Sequence, residues 1–182
     1  MRIIAGIHRG RILASPRDRS VRPTTDRAKQ TIFDVLTNRI DFEGLAVLDL
    51  FAGSGSLGLE AISRGASSVT FVDNARESLA LLQKNIVALH CEDRSTTYQA
   101  DAFWYLKNTQ ARYDVVFADP PYRLERIGTI PMAIHESGVL KEHAFIVMEH
   151  SRESAIDLDE KIYDILRKPF GQTTVLILQS KN

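Results

Sequence analysis

The spacing of hydrophobic positions changes along the chain, and from residue 46 onward it alternates between strand-like and helix-like patterns. Short apolar runs typical of buried strands occupy Ala46–Phe51, Val69–Val72, Val115–Ala118 and Ala144–Glu149, and Thr96–Gln99 is a weaker strand candidate. Helical patterns fall between them: from a glycine-rich turn to about Arg64, over 76–89, over Ala102–Lys107 and near 125–137. Repeated strand–helix units predict an α/β fold with a mostly parallel sheet and right-handed crossovers.

The carboxyl-terminal part of the chain departs from this alternation. Lys161–Leu166 and Thr174–Gln179 are both strand-like, and only Arg167–Thr173 separates them. A connection this short leaves no room for a crossover helix, so the two strands are predicted to pair as an antiparallel hairpin.

The amino-terminal part precedes the first buried strand. Arg2–Ile4 and Arg11–Ala14 flank His8-Arg9-Gly10, which predicts a small hairpin. Thr24 or Thr25 can then cap a helix that runs to about Asn38. We therefore predict two parts, an extension over residues 1–40 and a main domain over residues 41–182.

Charge is unevenly distributed, although the net charge of the whole chain is zero. Residues 1–39 contain nine basic and three acidic side chains, and eight of the nine basic residues are arginines. Planar guanidinium groups match the geometry of phosphate well. The extension is therefore predicted to bind a polyanion electrostatically, with a solvated surface arm as the alternative.

Several classes of protein are disfavoured by composition. No run of about 18 apolar residues occurs, and the amino terminus lacks the apolar stretch of a signal peptide. The single cysteine, Cys91, allows no internal disulfide and no cysteine-rich zinc site, and the five histidines show no metal-ligand spacing. These features predict a cytoplasmic protein that holds no metal and does not associate with a membrane.

A glycine motif follows the first strand of the main domain. Gly53, Gly55 and Gly58 satisfy G-x-G-x-x-G between a strand and a helix, and Asp73 ends the next strand about 20 residues on. Glycines let backbone N–H groups approach a ligand, and a carboxylate at this distance can accept from ribose hydroxyls. The motif predicts a ligand of the adenosine type, and it does not distinguish a nicotinamide cofactor from S-adenosylmethionine.

A second motif, Asp119-Pro120-Pro121-Tyr122, closes the fourth strand at the edge where open α/β sheets bind ligands. Its two prolines stiffen the loop and remove two N–H donors, so the Asp119 carboxylate and the Pro120 carbonyl can face one point. Two such acceptors can hold the hydrogens of an exocyclic amine and stabilise the positive charge that develops on methylation. Tyr122 can stack on the base. The motif favours S-adenosylmethionine and amine methylation.

The chain resembles the bacterial small-subunit rRNA guanine-N2 methyltransferase family, the RsmD-like proteins. The resemblance is carried by MRIIAG…RGR at 1–11, RPTTDRAKQTIF at 22–33, LDLFAGSGSLGLEAISRGA at 48–66, FVD at 71–73, AD at 100–101 and DPPY at 119–122. The amino-terminal segments are the more specific part, because the glycine loop and DPPY occur in many amino-methyltransferases. The resemblance to this family implies a Rossmann-like, seven-stranded class I methyltransferase sheet with its last strand antiparallel.

The resemblance also implies the roles of individual residues. Around S-adenosylmethionine it places Asp49, Phe51, Gly53 and Gly55 at the methionine portion, Asp73 at the ribose, and Asn74, Asp101 and Ala102 at the adenine. On the RNA side it assigns Arg9, Arg11, Arg22 and Arg27 to phosphates, with Thr24, Thr25 and Arg27 serving cofactor and RNA together. The expected partner is 16S rRNA or a small-subunit assembly particle, and nothing in the sequence demands more than a monomer.

Other functions remain open at this stage. DPPY also suits an adenine-N6 methyltransferase acting on DNA or RNA, although so short a chain leaves little room for a separate target-recognition domain. A protein-glutamine methyltransferase usually has Asn where this chain has Asp119. A nicotinamide oxidoreductase would explain the glycine loop but not the DPPY motif. A non-catalytic RNA-binding factor on the same fold would explain the basic extension. It would leave the loop Asp119–Tyr122, called the acceptor loop below, without a purpose.

Overall fold

The computed structural model describes residues 1–15 and 26–181. Its helices are α1 (Asp26–Thr37), α2 (Ser56–Ser63), α3 (Arg76–Leu89), α4 (Ala102–Asn108) and α5 (Ile130–Glu136). Its strands are β1 (Ala46–Leu50), β2 (Ser68–Asp73), β3 (Ser95–Gln99), β4 (Tyr113–Ala118), β5 (Leu140–Ser151), β6 (Tyr163–Phe170) and β7 (Thr173–Ser180). None of the described helices is long and apolar enough to cross a bilayer.

The strands form one seven-stranded sheet in the order β3-β2-β1-β4-β5-β7-β6. Strands β1 to β5 pair in parallel, whereas β7 runs antiparallel to β5 and to β6. The α/β prediction and the seven-stranded class I sheet are confirmed. The strand order reverses between β1 and β4, and such a switch point is where open α/β sheets bind ligands.

The terminal hairpin is confirmed, but the bounds of its predicted strands were wrong. β6 begins at Tyr163, two residues after the predicted start, and continues to Phe170, and β7 begins at Thr173, so only Gly171 and Gln172 form the turn. Pro169 lies within β6 and pairs in register with Thr174. An edge strand tolerates proline because one of its sides lacks a partner that would need the missing N–H.

Apolar side chains cover both faces of the sheet. On one face, Val47, Phe71, Phe117 and Val147 pack against α1, α2, α3 and the amino-terminal segment. On the other face, the intervening strand residues pack against α4 and α5. Burial on both faces explains why the central strands are nearly continuous apolar runs.

The amino-terminal segment pairs with itself and packs on the main core. Arg2 and Ile12 form an antiparallel bridge, and Ile3 N–H donates to the Arg11 carbonyl at 2.9 Å. Ile3 and Leu13 are buried in the same cluster as α2. The small predicted hairpin is confirmed. The division of the chain near residue 40 stays a prediction, and the described part of the extension shares its core with the sheet.

A buried ionic network fastens this segment to α2. Glu60 is fully buried, lies 3.5 Å from Lys29 Nζ and accepts from Arg64 Nε at 2.9 Å. The same carboxylate accepts from the backbone N–H groups of Ile4 and Ala5 at 2.7 and 3.0 Å. Burial lowers the pKa of Lys29, and the nearby Glu60 opposes that shift. One carboxylate therefore joins the extension, α1 and α2.

We expect Glu60→Ala to lower the free energy of unfolding by about 3–5 kcal/mol, because it leaves the buried Lys29 ammonium group without its counter-ion and two backbone N–H groups without their acceptor. Lys141→Ala is the matched control, since it breaks the ion pair between half-exposed Lys141 and Asp114. That loss should be about 1 kcal/mol or less. Urea unfolding measures the stability of both variants. Equal losses in the free energy of unfolding would contradict the larger contribution that we assign to the buried network.

Candidate active site

Acidic side chains line the carboxyl ends of the parallel strands on one face of the sheet. Val47, Phe71, Phe117 and Val147 belong to the same core cluster, and side chains two residues further along a strand face the same side. The residues two positions further are Asp49, Asp73, Asp119 and Glu149. Strand register sets Asp73, Asp119 and Glu149 at one level across the sheet. Asp49 lies on β1, two residues before that level.

The glycine loop between β1 and α2 has left-handed backbone at three positions. Phe51, Gly53 and Gly55 have φ values of 60°, 55° and 82°. A methyl group on Gly55 would lie 2.3 Å from Leu82 Cδ1, and one on Gly58 would lie 2.3 Å from the Phe71 ring. A methyl group on Gly53 would approach only the Phe51 carbonyl, at 4.0 Å. Gly55 and Gly58 thus permit close packing, whereas Gly53 faces open space that a ligand can fill.

Asp73 holds the glycine loop against the end of β2. One carboxylate oxygen accepts from Gly53 N–H and the other accepts from Ala75 N–H, each at 2.8 Å. Each oxygen keeps a further lone pair, so the group can still accept from a diol. The side chain is partly exposed, and the loop that it orders is the one with open space at Gly53. This donor and acceptor set fits the ribose of an adenosine ligand.

The predicted adenine contacts gather at the neighbouring strand ends. The Ala100 N–H bonds to the Asp73 carbonyl at 3.1 Å, which joins the ends of β3 and β2. Asp101 then caps α4 by accepting from Trp104 N–H at 2.9 Å, with buried Ala102 as the first helical residue. Asn74 is exposed directly after β2. The structure thus brings these residues together beside the glycine loop, and their contact with a ligand stays a prediction.

Asp49 is the most perturbed group of the site. Its side chain is buried, and one oxygen accepts from Gly58 N–H at 2.9 Å. Burial raises the pKa of Asp49 well above its usual range. The Gly58 N–H opposes that shift, and the negative charges of Asp119 and Asp73 add to it. A cation placed beside Asp49 would offset the cost of ionising it, as the ammonium group of a methionine portion would.

The acceptor loop begins where β4 ends. Asp119 is partly buried, Pro120 is buried, and Pro121 and Tyr122 are exposed. The Tyr122 hydroxyl reaches back to β5 and donates to Glu149 Oε1 at 3.3 Å. Tyr122 is 43% exposed, so its side chain is tethered at the hydroxyl end and is still partly open to solvent.

The residues predicted to bind RNA divide into three groups. Arg9 and Arg11 are exposed, and Arg11 Nη2 donates to the Ala88 carbonyl near the end of α3, away from the glycine loop. Arg27 is exposed in the first turn of α1. Arg22, Thr24 and Thr25 lie outside the described residues. Their RNA contacts stay predictions.

Two residues near the site were not anticipated from the sequence pattern. Asn85, on the buried side of α3, donates to the Ser54 carbonyl in the glycine loop at 2.9 Å and pairs with the Ala14 backbone. Glu149 was included in a predicted strand without a role. A signal for Glu149 existed in the sequence, because a carboxylate follows the apolar run 144–148 just as Asp73 follows the run 69–72.

A sheet of this strand order, with a glycine loop after β1 and an Asp-Pro-Pro-Tyr loop after β4, is that of a class I methyltransferase. Residues 1–179 match the model of one family, described as Conserved hypothetical protein 95, and the chain belongs to that family.

Relatives and solved structures agree with this assignment. The chain is 34% identical to Ribosomal RNA small subunit methyltransferase D of Haemophilus influenzae, over 99% of the chain and 94% of the relative. It is 35% identical to the protein of the same name in Escherichia coli, over 86% and 77%. The solved structure of the Escherichia coli protein yhhF superposes with a TM-score of 0.88 at 30% identity, over 100% of this chain and 98% of that one.

Substitutions at Gly53 and Gly58 should separate ligand binding from packing. We expect Gly53→Ala to weaken S-adenosylmethionine binding about tenfold or more, because the new methyl group enters the open space, while stability falls by about 1–2 kcal/mol from the left-handed backbone. We expect Gly58→Ala to lower stability by about 1–3 kcal/mol through overpacking against Phe71 and to weaken the affinity of the folded protein less than Gly53→Ala does. Calorimetric titration and urea unfolding measure the two effects, and a stronger affinity loss at Gly58 would contradict this division.

The raised pKa of Asp49 predicts a pH-dependent stability difference for Asp49→Asn. The folded-state pKa lies above the unfolded value of about 3.9, so this group's stabilising contribution is complete below that pH and is lost as the pH rises towards the folded-state pKa. The variant does not titrate and can still accept from Gly58. Its free energy of unfolding should therefore rise relative to the wild type as the pH increases above about 4, while cofactor affinity falls. Parallel stability profiles across that range would refute the assignment.

Proposed function

We propose that this chain transfers a methyl group from S-adenosylmethionine to the exocyclic N2 of a guanine in small-subunit (16S) ribosomal RNA. The observation that carries the proposal is the position of Asp119 and Pro120. They follow β4 directly, next to the glycine loop after β1, and the Asp119 carboxylate is close enough to Asp49 for its charge to act on that group. A target amine and a methyl donor can therefore meet at one point of the sheet edge.

The acceptor loop deals with the weak nucleophilicity of the amine. The lone pair of an exocyclic amine is delocalised into the base, so the nitrogen must be turned and held before it can react. The Asp119 carboxylate and the Pro120 carbonyl accept its two hydrogens and stabilise the positive charge that grows on the nitrogen. The proton released afterwards can pass to Asp119 or to water.

The loop also provides a place for the base. Chemistry on a base edge requires the nucleotide to leave its stack, and RNA bases are read most readily in loops or opened helices. The partly exposed ring of Tyr122 offers a stacking surface next to Asp119, and its bond to Glu149 fixes the ring. Stacking replaces part of the energy that is lost when the base is extruded.

The cofactor lies on the β1–β2 side of the same edge in this proposal. Bound S-adenosylmethionine supplies an electrophilic methyl group. Asp73 accepts from the ribose, the Asp101–Ala102 corner receives the adenine edge with Asn74 nearby, and the loop from Asp49 through Phe51 to Gly55 surrounds the methionine portion. The free space at Gly53 and the unused lone pairs of Asp73 support this placement.

Ribosomal RNA as the substrate is supported by the relatives and by charge. The curated relatives from Haemophilus influenzae and Escherichia coli are named for the RNA of the small subunit. The excess of arginine in residues 1–39 suits phosphate contacts that add affinity without reading sequence. Arg9 and Arg11 contact RNA away from the glycine loop in this proposal, so the bound RNA extends along α3. The enzyme acts as a monomer in the cytoplasm, on free 16S rRNA or an assembly particle.

We expect Asp119→Ala to abolish methyl transfer, a loss of about 1,000-fold or more, because the amine loses the acceptor that orients it and stabilises its charge. Labelled methyl transfer to 16S rRNA and to small-subunit particles lacking the modification measures the rate. Binding of S-adenosylmethionine, measured by calorimetry, should change little.

Asp114→Asn is the control, because Asp114 lies on the same strand at the opposite end and bonds to Ala46 N–H and to Lys141. Its transfer rate should match the wild type. Digestion of the labelled RNA identifies the methylated base. A label on adenine N6, a label on DNA alone, or near-normal turnover by Asp119→Ala would each overturn the proposal.

A further inference from the structure

We propose that Glu149 is a second base-reading group of this site, whose carboxylate accepts the N1–H of the target guanine while Asp119 and Pro120 hold its N2 amine. This inference rests on the proposed function and names the group that selects guanine. It concerns a residue on β5, outside both sequence motifs.

The position of Glu149 follows from strand register. Ala118 pairs with Met148 in the parallel β4–β5 ladder, so Asp119 and Glu149 are the next residues of adjacent strands. Neighbouring strands lie about 4.8 Å apart, and both side chains face the side occupied by Phe117 and Val147. The two carboxylates are thus set next to each other on one face at the edge of the cleft.

The hydrogen bonding of Glu149 is incomplete. Glu149 is 9% exposed, and its Oε1 accepts from the Tyr122 hydroxyl at 3.3 Å. Its Oε2 is shielded from solvent and has no hydrogen-bond partner among the described residues. A buried carboxylate oxygen without a donor is costly, and native proteins rarely keep one without a reason. A donor supplied by the substrate would satisfy it.

Guanine offers the donor that this arrangement lacks. Its N1–H and N2 amine lie next to each other on one edge of the base, so two adjacent groups of acceptors can engage both. Adenine has a lone pair at N1, next to its own exocyclic amine, and that lone pair would face the carboxylate oxygen of Glu149. The same pair of carboxylates therefore accepts guanine and repels adenine, which Asp119 and Pro120 alone do not do.

Tyr122 connects this group to the acceptor loop. Its hydroxyl bonds to Glu149, and its ring is the proposed stacking surface for the base. In this proposal Glu149 therefore contacts both Tyr122, which stacks on the base, and the edge of the base that carries N1–H. A role for Glu149 in fixing Tyr122 alone would leave Oε2 unexplained.

The test uses 16S rRNA in which the target guanine is replaced by 2-aminopurine, introduced by ligation once the methylated base is mapped. 2-Aminopurine keeps the amine at C2 but has a lone pair at N1. We expect the wild type to methylate the guanine RNA about 10- to 100-fold more efficiently, measured as kcat/KM. Comparable efficiency on the two RNAs would overturn the proposal without any variant.

Glu149→Gln supplies the second arm, because an amide can accept from Tyr122 and donate to the N1 lone pair. Its preference for guanine should fall at least tenfold, with lower activity on guanine and higher activity on 2-aminopurine. The fluorescence of 2-aminopurine changes when the base leaves its RNA stack for the Tyr122 ring, and a titration that follows this change should report tighter binding to Glu149→Gln than to the wild type. An unchanged preference would refute base reading by Glu149.

Tyr122→Phe is the matched control, since it removes the hydroxyl bonded to Glu149 and keeps both the carboxylate and the ring. It should reduce activity on both RNAs by the same factor and leave the preference unchanged. If Tyr122→Phe altered the preference as much as Glu149→Gln, the effect would belong to loop positioning. Methylation of adenine by the wild type would instead count against the proposed function itself.

Discussion

The register of four parallel strands, β2, β1, β4 and β5, is the constraint on which the whole site depends. Side chains alternate between the two faces of a strand, so a slip of one residue would turn a carboxylate from the cleft to the opposite core. Asp73, Asp119 and Glu149 share one level only because Leu50 pairs with both Val72 and Ala118, and Ala118 pairs with Met148. The apolar residues behind each carboxylate hold that register, because a slip would expose them and bury charge.

This arrangement places acidic side chains close together, and their burial and mutual repulsion oppose the stability of the fold. Desolvation and the neighbouring carboxylates work against ionisation of Asp49, and Glu149 keeps an oxygen without a donor among the described residues. Groups that break the usual rules of burial commonly mark a site built for a ligand. Glu60 shows the contrast, because it is equally buried but meets a lysine, an arginine and two backbone N–H groups. Its contacts serve the structure, whereas Glu149 Oε2 has no donor among the described residues.

Much of the fold and most of the site edge could be predicted from the sequence. Apolar runs identify the central strands because those strands are buried on both faces, and the motifs at Gly53 and Asp119 end two of them. The extent of β6 was underestimated because Pro169 normally ends a strand, and tolerance at an edge depends on sheet order. Asn85 forms hydrogen bonds with the backbones of Ala14 and Ser54, which are distant from it in sequence. No local pattern therefore reveals these contacts. Glu149 carried a local signal, but its neighbour on β4 is apparent only from register.

The same long-range contacts explain how a basic extension can serve a site formed by other elements. Ala14 is held by Asn85 beside Ser54 of the glycine loop, and after the undescribed stretch Lys29 of α1 donates to Ser56 at the start of α2. Arg2 pairs with Asp26 at the start of α1. Ala14 and Lys29 are therefore both anchored at the glycine loop or at the start of α2. Arg11 bonds to Ala88 near the end of α3. The described part of the extension is thus packed against the elements that form the site, which suits a substrate much larger than the base it presents.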